Sequence, residues 1–310
     1  MKALAGFIVS GRFQAILVAA LSGVLAFLLP PFTTLAHYLG AAVIALVTLR
    51  IGTTQGLQVL IVATLLTVLF YLAAGTQAAT VAVTVLLLWL PCWLVSAVLR
   101  QTVNLAYATL TAAGLGIVAL MLVYGMAGDP APWWLERLQS FEAELDATGL
   151  FPKGIQSEEL LADLSRLLTG VVLASLVLST LCSVLLGRWW QALLVNPGGL
   201  RSEFIGLRLG QGAGLLTLVL MLAAQFTQGV ASDMAAQSAM VLLVPYLLVG
   251  LAVAHGVVTQ TGRGNGWLIA IYIMLAILPQ AALMLAGIGL LDTWIDFRRR
   301  LGGAGGKPGK

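Results

Sequence analysis

The chain has 310 residues, 60% of them hydrophobic and 9% charged, against roughly 45–50% apolar and about 25% charged in an ordinary globular domain. That composition excludes a soluble globular domain, a fibrous protein and a disordered chain, and assigns the polypeptide to a lipid bilayer. The net charge of +4 is segregated: residues 128–165 carry eight acids against two bases, leaving +10 for the rest, as single bases between apolar runs that orient helices rather than bind nucleic acid.

Runs bounded by charge, proline or polar clusters predict an all-α fold, a polytopic transmembrane helical bundle of about eight to nine spans forming one domain over 1–300. The spans are expected near 13–29, 35–49, 57–74, 77–99, 103–127, 167–187, 211–230, 238–260 and 267–291. Lys2, Arg12, Arg50, Arg100, Arg188, Arg201, Arg208 and Arg263 flank them on one side, while the loops at Pro30-Pro31, Gly75 and Asp233 carry no base. By the positive-inside rule the N-terminus is cytoplasmic and 128–166 extracytoplasmic, in the cytoplasmic (inner) membrane of a bacterium. The first span is expected to be retained rather than cleaved, since no convincing cleavage site follows Arg12.

In the first span Ala15, Ala19 and Gly23 form a ladder of small residues that permits close helix approach. His37 lies in the second run and Asn104 at the start of the fifth. The acidic segment 128–166 is amphipathic, with Trp134, Leu138, Phe141 and Leu145 at helical spacing and Ser157 placed to cap a second helix. It reads as a solvated cap on the bilayer or as a lid over an external mouth. The basic elbow at 187–210 contains Arg188-Trp189-Trp190 and the turn Asn196-Pro197-Gly198-Gly199. If 199–209 is helical, Leu200, Phe204 and Leu207 share a face edged by Arg201 and Arg208, which reads as an anchor for anionic lipid or a contact for a protein partner. His255 lies in the eighth run and Gln280 in the ninth.

The stretch from Trp267 to Phe297 has Pro279 near its middle. An odd number of spans strands the tail on the base-poor side, so this stretch is expected to be a broken helix or re-entrant hairpin, or else the second run is not a full span. Asp292, Asp296 and Arg300, at i, i+4 and i+8, are expected to form a ladder of ion pairs at a helix end. Residues 301–310 read as a disordered basic tail.

All twelve acids fall outside the middle of a span, which disfavours a proton- or sodium-driven machine. Cys92 and Cys182 lack metal spacing, and no phosphate loop, zinc motif or dinucleotide fingerprint is present. Ser22 and His255 have no helix order that pairs them as nucleophile and base. No enzyme activity, cofactor or metal is expected. What remains is a set of embedded polar residues, His37, Asn104, His255 and Gln280, as a solute pocket.

Gly287 to Leu301 (GIGLLDTWIDFRRRL) resembles the C-terminal signature of the YybS-like family of bacterial integral membrane proteins. Tyr246 to His255 is similar to its penultimate helix, and Val43 to Gly56 to its short second helix and turn. That family is distantly similar to the S components of energy-coupling-factor transporters. The resemblance implies a solute-binding role without an energy source of its own, and a coupling subunit docked on Ala15 and Ala19. A membrane scaffold that meets protein partners through the elbow is the alternative.

Overall fold

Backbone polar groups in hydrocarbon must be satisfied within the chain, so an apolar chain of this kind folds as helices. The computed structural model describes residues 1–28, 33–75, 77–148, 158–261, 264 and 266–303. Among the described residues the elements are all helical: α1 (Lys2–Val9), α2 (Arg12–Leu28), α3 (Thr33–Arg50), α4 (Thr53–Ala73), α5 (Ala78–Thr102), α6 (Leu105–Ala127), α7 (Ala131–Thr148), α8 (Glu158–Val195), α9 (Gly199–Ile205), α10 (Gln211–Phe226), α11 (Val230–Gln260), α12 (Gly266–Ile277), α13 (Pro279–Ile295) and α14 (Phe297–Gly303). Five of these, α4, α5, α6, α8 and α11, are long and apolar enough to cross a membrane. A sixth is added if α1 and α2, bent by 119° at Ser10-Gly11, count as one span.

Helix α3 is the buried axis of the N-terminal half. Every residue from Ala41 to Val47 is buried, so no polar face is needed. Small residues let neighbours close on it, as membrane helices require. Gly40 and Gly23 leave room for the fully buried Trp89 of α5, whose indole N–H donates to the His37 carbonyl. Gly187 sets α8 against Ala42 and Ala45. In the C-terminal half α11 holds the centre, crossing α13 at Gly250 and Gly289.

The two ends of the bundle differ in chemistry. At one end Arg100 donates to the carbonyls of Thr48 and Leu49, capping α3, and Gln191 Nε2 also reaches Leu49; α3, α5 and α8 therefore finish together. Arg188 grips Glu203 through two hydrogen bonds, holding α9 against α8. At the other end the Trp134 indole donates to Thr169, and Gln237 donates to the Tyr124 hydroxyl and the Arg166 carbonyl. The basic and acidic segments thus cap opposite ends.

Residues 266–295 form a hairpin. Met240 and Leu247 of α11 share a cavity wall with Pro279 and Ala286 of α13, Val249 shares one with Thr293, and Gly256 meets Arg298. Helix α13 therefore runs parallel to α11, and α12 runs back between them in sequence. Pro279 starts α13 because it lacks the N–H that a continuous helix needs, and Leu278 before it is extended. The hairpin returns α14 to the arginine-rich end.

Several boundaries differ from the sequence expectation. Helix α8 absorbs both the outer period Leu160–Leu168 and the Arg188-Trp189-Trp190 stretch, because nothing between 158 and 195 breaks it. Helix α9 stops at Ile205, with Gly206 following, so 207–210 is not helical. Leu301–Gly303 continue α14 rather than belonging to a disordered tail, while 304–310, Pro30-Pro31, Ser157 and Arg263 lie outside the described residues.

Candidate functional site

The four residues expected to share a solute pocket are not brought together. Asn104 caps α6, accepting from the Ala106 N–H in an exposed turn at the arginine-rich end. His255 lies near the same end of α11, whereas His37 is buried near the N-terminus of α3 and Gln280 is exposed at the N-terminus of α13, both away from that end. Periodicity could not separate these depths, because each residue is the polar member of a different helix. Ala15 and Ala19 are fully buried within the packing of α2, and a Cβ at Gly23 would stand 2.5 Å from Thr67 Oγ1 of α4. The small-residue ladder is spent inside the molecule and is not an outward docking face.

The acid ladder also resolves differently. Helix α13 ends at Ile295 and Asp296 turns into the left-handed region (φ 51°), which destroys the i, i+4, i+8 register. Asp292 instead pairs with Arg298 at 2.6 Å, both side chains almost completely buried. Arg298 also donates to the carbonyls of Ile205 and Leu207. Asp296 takes both guanidinium nitrogens of Arg208, at 2.5 and 2.8 Å. Arg300 is exposed, and among the described residues it joins through its backbone N–H to the Asp296 carbonyl.

Arg208 holds the Asp296 carboxyl below its ordinary range, chiefly by hydrogen bonding. A lowered native value means that the contact stabilises the fold fully above the unfolded carboxylate range of about 4 and loses its effect as pH falls through the native value. The melting temperature of the wild type should exceed that of Asp296→Asn by a constant margin from pH 7 to about 5 and converge with it below about 4; a margin unchanged at acid pH contradicts the assignment.

What the fold does assemble is a cavity of about 300 Å³ under the elbow. Its walls come from four helices: Trp189 of α8, Arg201 and Phe204 of α9, His255 of α11 and Tyr272 of α12. The His255 ring stands edge-to-face against Phe204 and Tyr272, with centroids 5.6 and 5.9 Å apart. Its Nδ1 is 2.9 Å from the Leu251 carbonyl, which orients the ring and turns Nε2 away from the helix backbone. Arg201 Nη2 donates to Thr259 Oγ1 at 3.1 Å, leaving further donors of its five-N–H fork at the rim. Arg201 and Phe204, expected together on the elbow, and His255, expected in a separate solute pocket, therefore line one site. Trp189 and Tyr272 complete it; the Trp189-Trp190 pair marked the elbow, but no local pattern could place Tyr272 against it.

Comparison of the chain with protein-family models, with curated proteins and with solved structures gives no match.

Proposed function

We propose that this is a multi-pass protein of the bacterial inner membrane that binds a small solute in the elbow cavity and facilitates its movement without an energy source of its own. The cavity carries the reading: three aromatic walls supply apolar contact, and Arg201 and His255 supply the few polar groups that fix orientation. Eight end-to-end spans, with α2, α3 and α10 added to the five long helices, plus the α12–α13 hairpin, are our count. A cytoplasmic arginine-rich end is our orientation, supported by the positive-inside rule. Membership of the YybS-like family remains a proposal on the C-terminal residues, which the fold uses as the closing contact of the elbow. The scaffold alternative has less support, because Arg208 is occupied by Asp296 within the chain.

The test is ligand-induced thermal stabilisation of the purified protein, screened with small solutes of different charge. Binding should weaken roughly ten-fold or more in Arg201→Gln, the loss expected for one charge-assisted hydrogen bond of about 1.5–3 kcal/mol, and His255→Leu should weaken it too. A solute that stabilises both variants as well as the wild type places binding elsewhere and removes the reading.

A further inference from the structure

Three arginines around the elbow face a carboxylate: Arg188 meets Glu203, Arg208 meets Asp296 and Arg298 meets Asp292. The side chains of Arg201, Arg299 and Arg300 have no carboxylate partner among the described residues, and of these three Arg201 lines the cavity. Among the described residues Arg201 meets only a neutral hydroxyl, that of Thr259. Its charge is unmatched at the mouth of an aromatic cavity, and an anion is the chemistry that completes it.

A second cavity, of about 400 Å³, lies deeper along the same seam between α8 and α11, closed on its third side by α13. Its lining is aliphatic apart from the Ser175 hydroxyl, which is turned back onto the Val171 carbonyl. The two cavities share helix faces. On α8 the stripe Val171, Ser175, Leu178 continues at helical spacing through the exposed Cys182 to Trp189; on α11 Leu247 and His255 lie eight residues apart on one stripe. From Trp189 to Leu178, the near edge of the aliphatic cavity, is 11 residues or about 16 Å along a helix, and to Val171, its far edge, 18 residues or about 27 Å. Cationic and aromatic at the bundle end and aliphatic farther along, the seam has the polarity of a lipid with its headgroup at the bundle end.

We propose that the occupant of this seam is a lipid with a phosphate headgroup, its phosphate on Arg201 beside His255 and one acyl chain running past Cys182 into the aliphatic cavity. The proposal rests on the solute-binding reading and gives it a substrate class. Charge complementarity selects an anionic lipid over a zwitterionic one, and the deep cavity selects a lipid over a free phosphate.

Native mass spectrometry of the full-length protein, delipidated and then titrated with dioleoyl phosphatidylglycerol, dioleoyl phosphatidylcholine or glycerol 1-phosphate, tests it. One phosphatidylglycerol per chain should be retained at least ten-fold better than phosphatidylcholine, and glycerol 1-phosphate should not be retained. Arg201→Gln should reduce phosphatidylglycerol to the phosphatidylcholine level. Ser175→Trp and Ala282→Phe, which fill the aliphatic cavity from two helices, should each reduce retention while Arg201 is intact and the melting temperature is kept. Equal retention of the two lipids overturns the proposal, as does wild-type retention in both filled variants. If glycerol 1-phosphate binds in an Arg201-dependent way and the filled variants are silent, the lipid is excluded and the small-solute reading survives. If none of the three probes binds and the Arg201 variant is silent toward every solute, both fail.

Discussion

Replacing Arg298 with glutamine should cost about 3–5 kcal/mol of stability, the penalty for leaving one charge of a buried pair alone. Asp292 and Arg298 are 2% and 5% exposed, so water cannot take over the orphaned carboxylate. The pair does more than cancel charge: Asp292 also accepts from the Phe297 N–H, and Arg298 holds the carbonyls of Ile205 and Leu207 beyond the end of α9. Substituting both members, Asp292→Leu with Arg298→Leu, removes the isolated charge and should recover part of the loss, yet it leaves those acceptors short of a donor at about 1–3 kcal/mol for each unmet group. The order of melting temperatures should therefore be wild type, double variant, Arg298→Gln. A double variant as stable as the wild type would show that the pair serves as an ion pair alone and that the elbow needs no cap.

Alanine at Gly250 or Gly289 should be comparably damaging, for a steric reason. The added methyl would stand 2.0 Å from the Leu285 carbonyl oxygen in the first case and 2.0 Å from that of Tyr246 in the second. Both obstacles are backbone, so neither can rotate away; the helices must part along their crossing, and overpacking of this kind costs about 1–3 kcal/mol and occasionally more. Gly287→Ala is the internal control. It lies in the same helix with nothing within 4 Å of its Cβ, so the variant should be neutral or gain about 0.5–1 kcal/mol from the helix preference of alanine. Thermal melting of the three variants in one detergent gives the comparison, and equal effects at 250, 287 and 289 would contradict the close crossing.

Much of the architecture is legible in composition and charge. The long apolar runs become α4, α5, α6, the middle of α8 and the C-terminal part of α11, since the length of such runs follows from bilayer thickness. Pro279 marks the hairpin because its missing N–H acts locally. Less legible is anything set by packing between helices. Arg208 and Asp296 are 88 residues apart, and the expected Asp292, Asp296, Arg300 ladder assumed that a helix would run on where Asp296 in fact turns left-handed. Ala15 and Ala19 illustrate the same limit: small-residue spacing identifies a face made for close approach, but not whether the approaching helix is the chain's own. At the cavity, Arg201 and Phe204 were visible as one face of an elbow helix and His255 as an embedded polar residue, while their meeting depends on the return of α11 and α12 to the same end.

The cap supplied by Arg298 also imposes an order of assembly. Ile205 and Arg298 are separated by 93 residues, and at ~5–20 residues per second of synthesis the elbow is made roughly 5–20 s before the guanidinium that closes it. During that interval the carbonyls of Ile205 and Leu207 lack the donor that the finished fold gives them, and water is the group that can satisfy them. Arg298 can then act as a latch on the finished chain, engaging only after α13 has come back alongside α11. The arginine-rich end is therefore complete only once the last hairpin has returned.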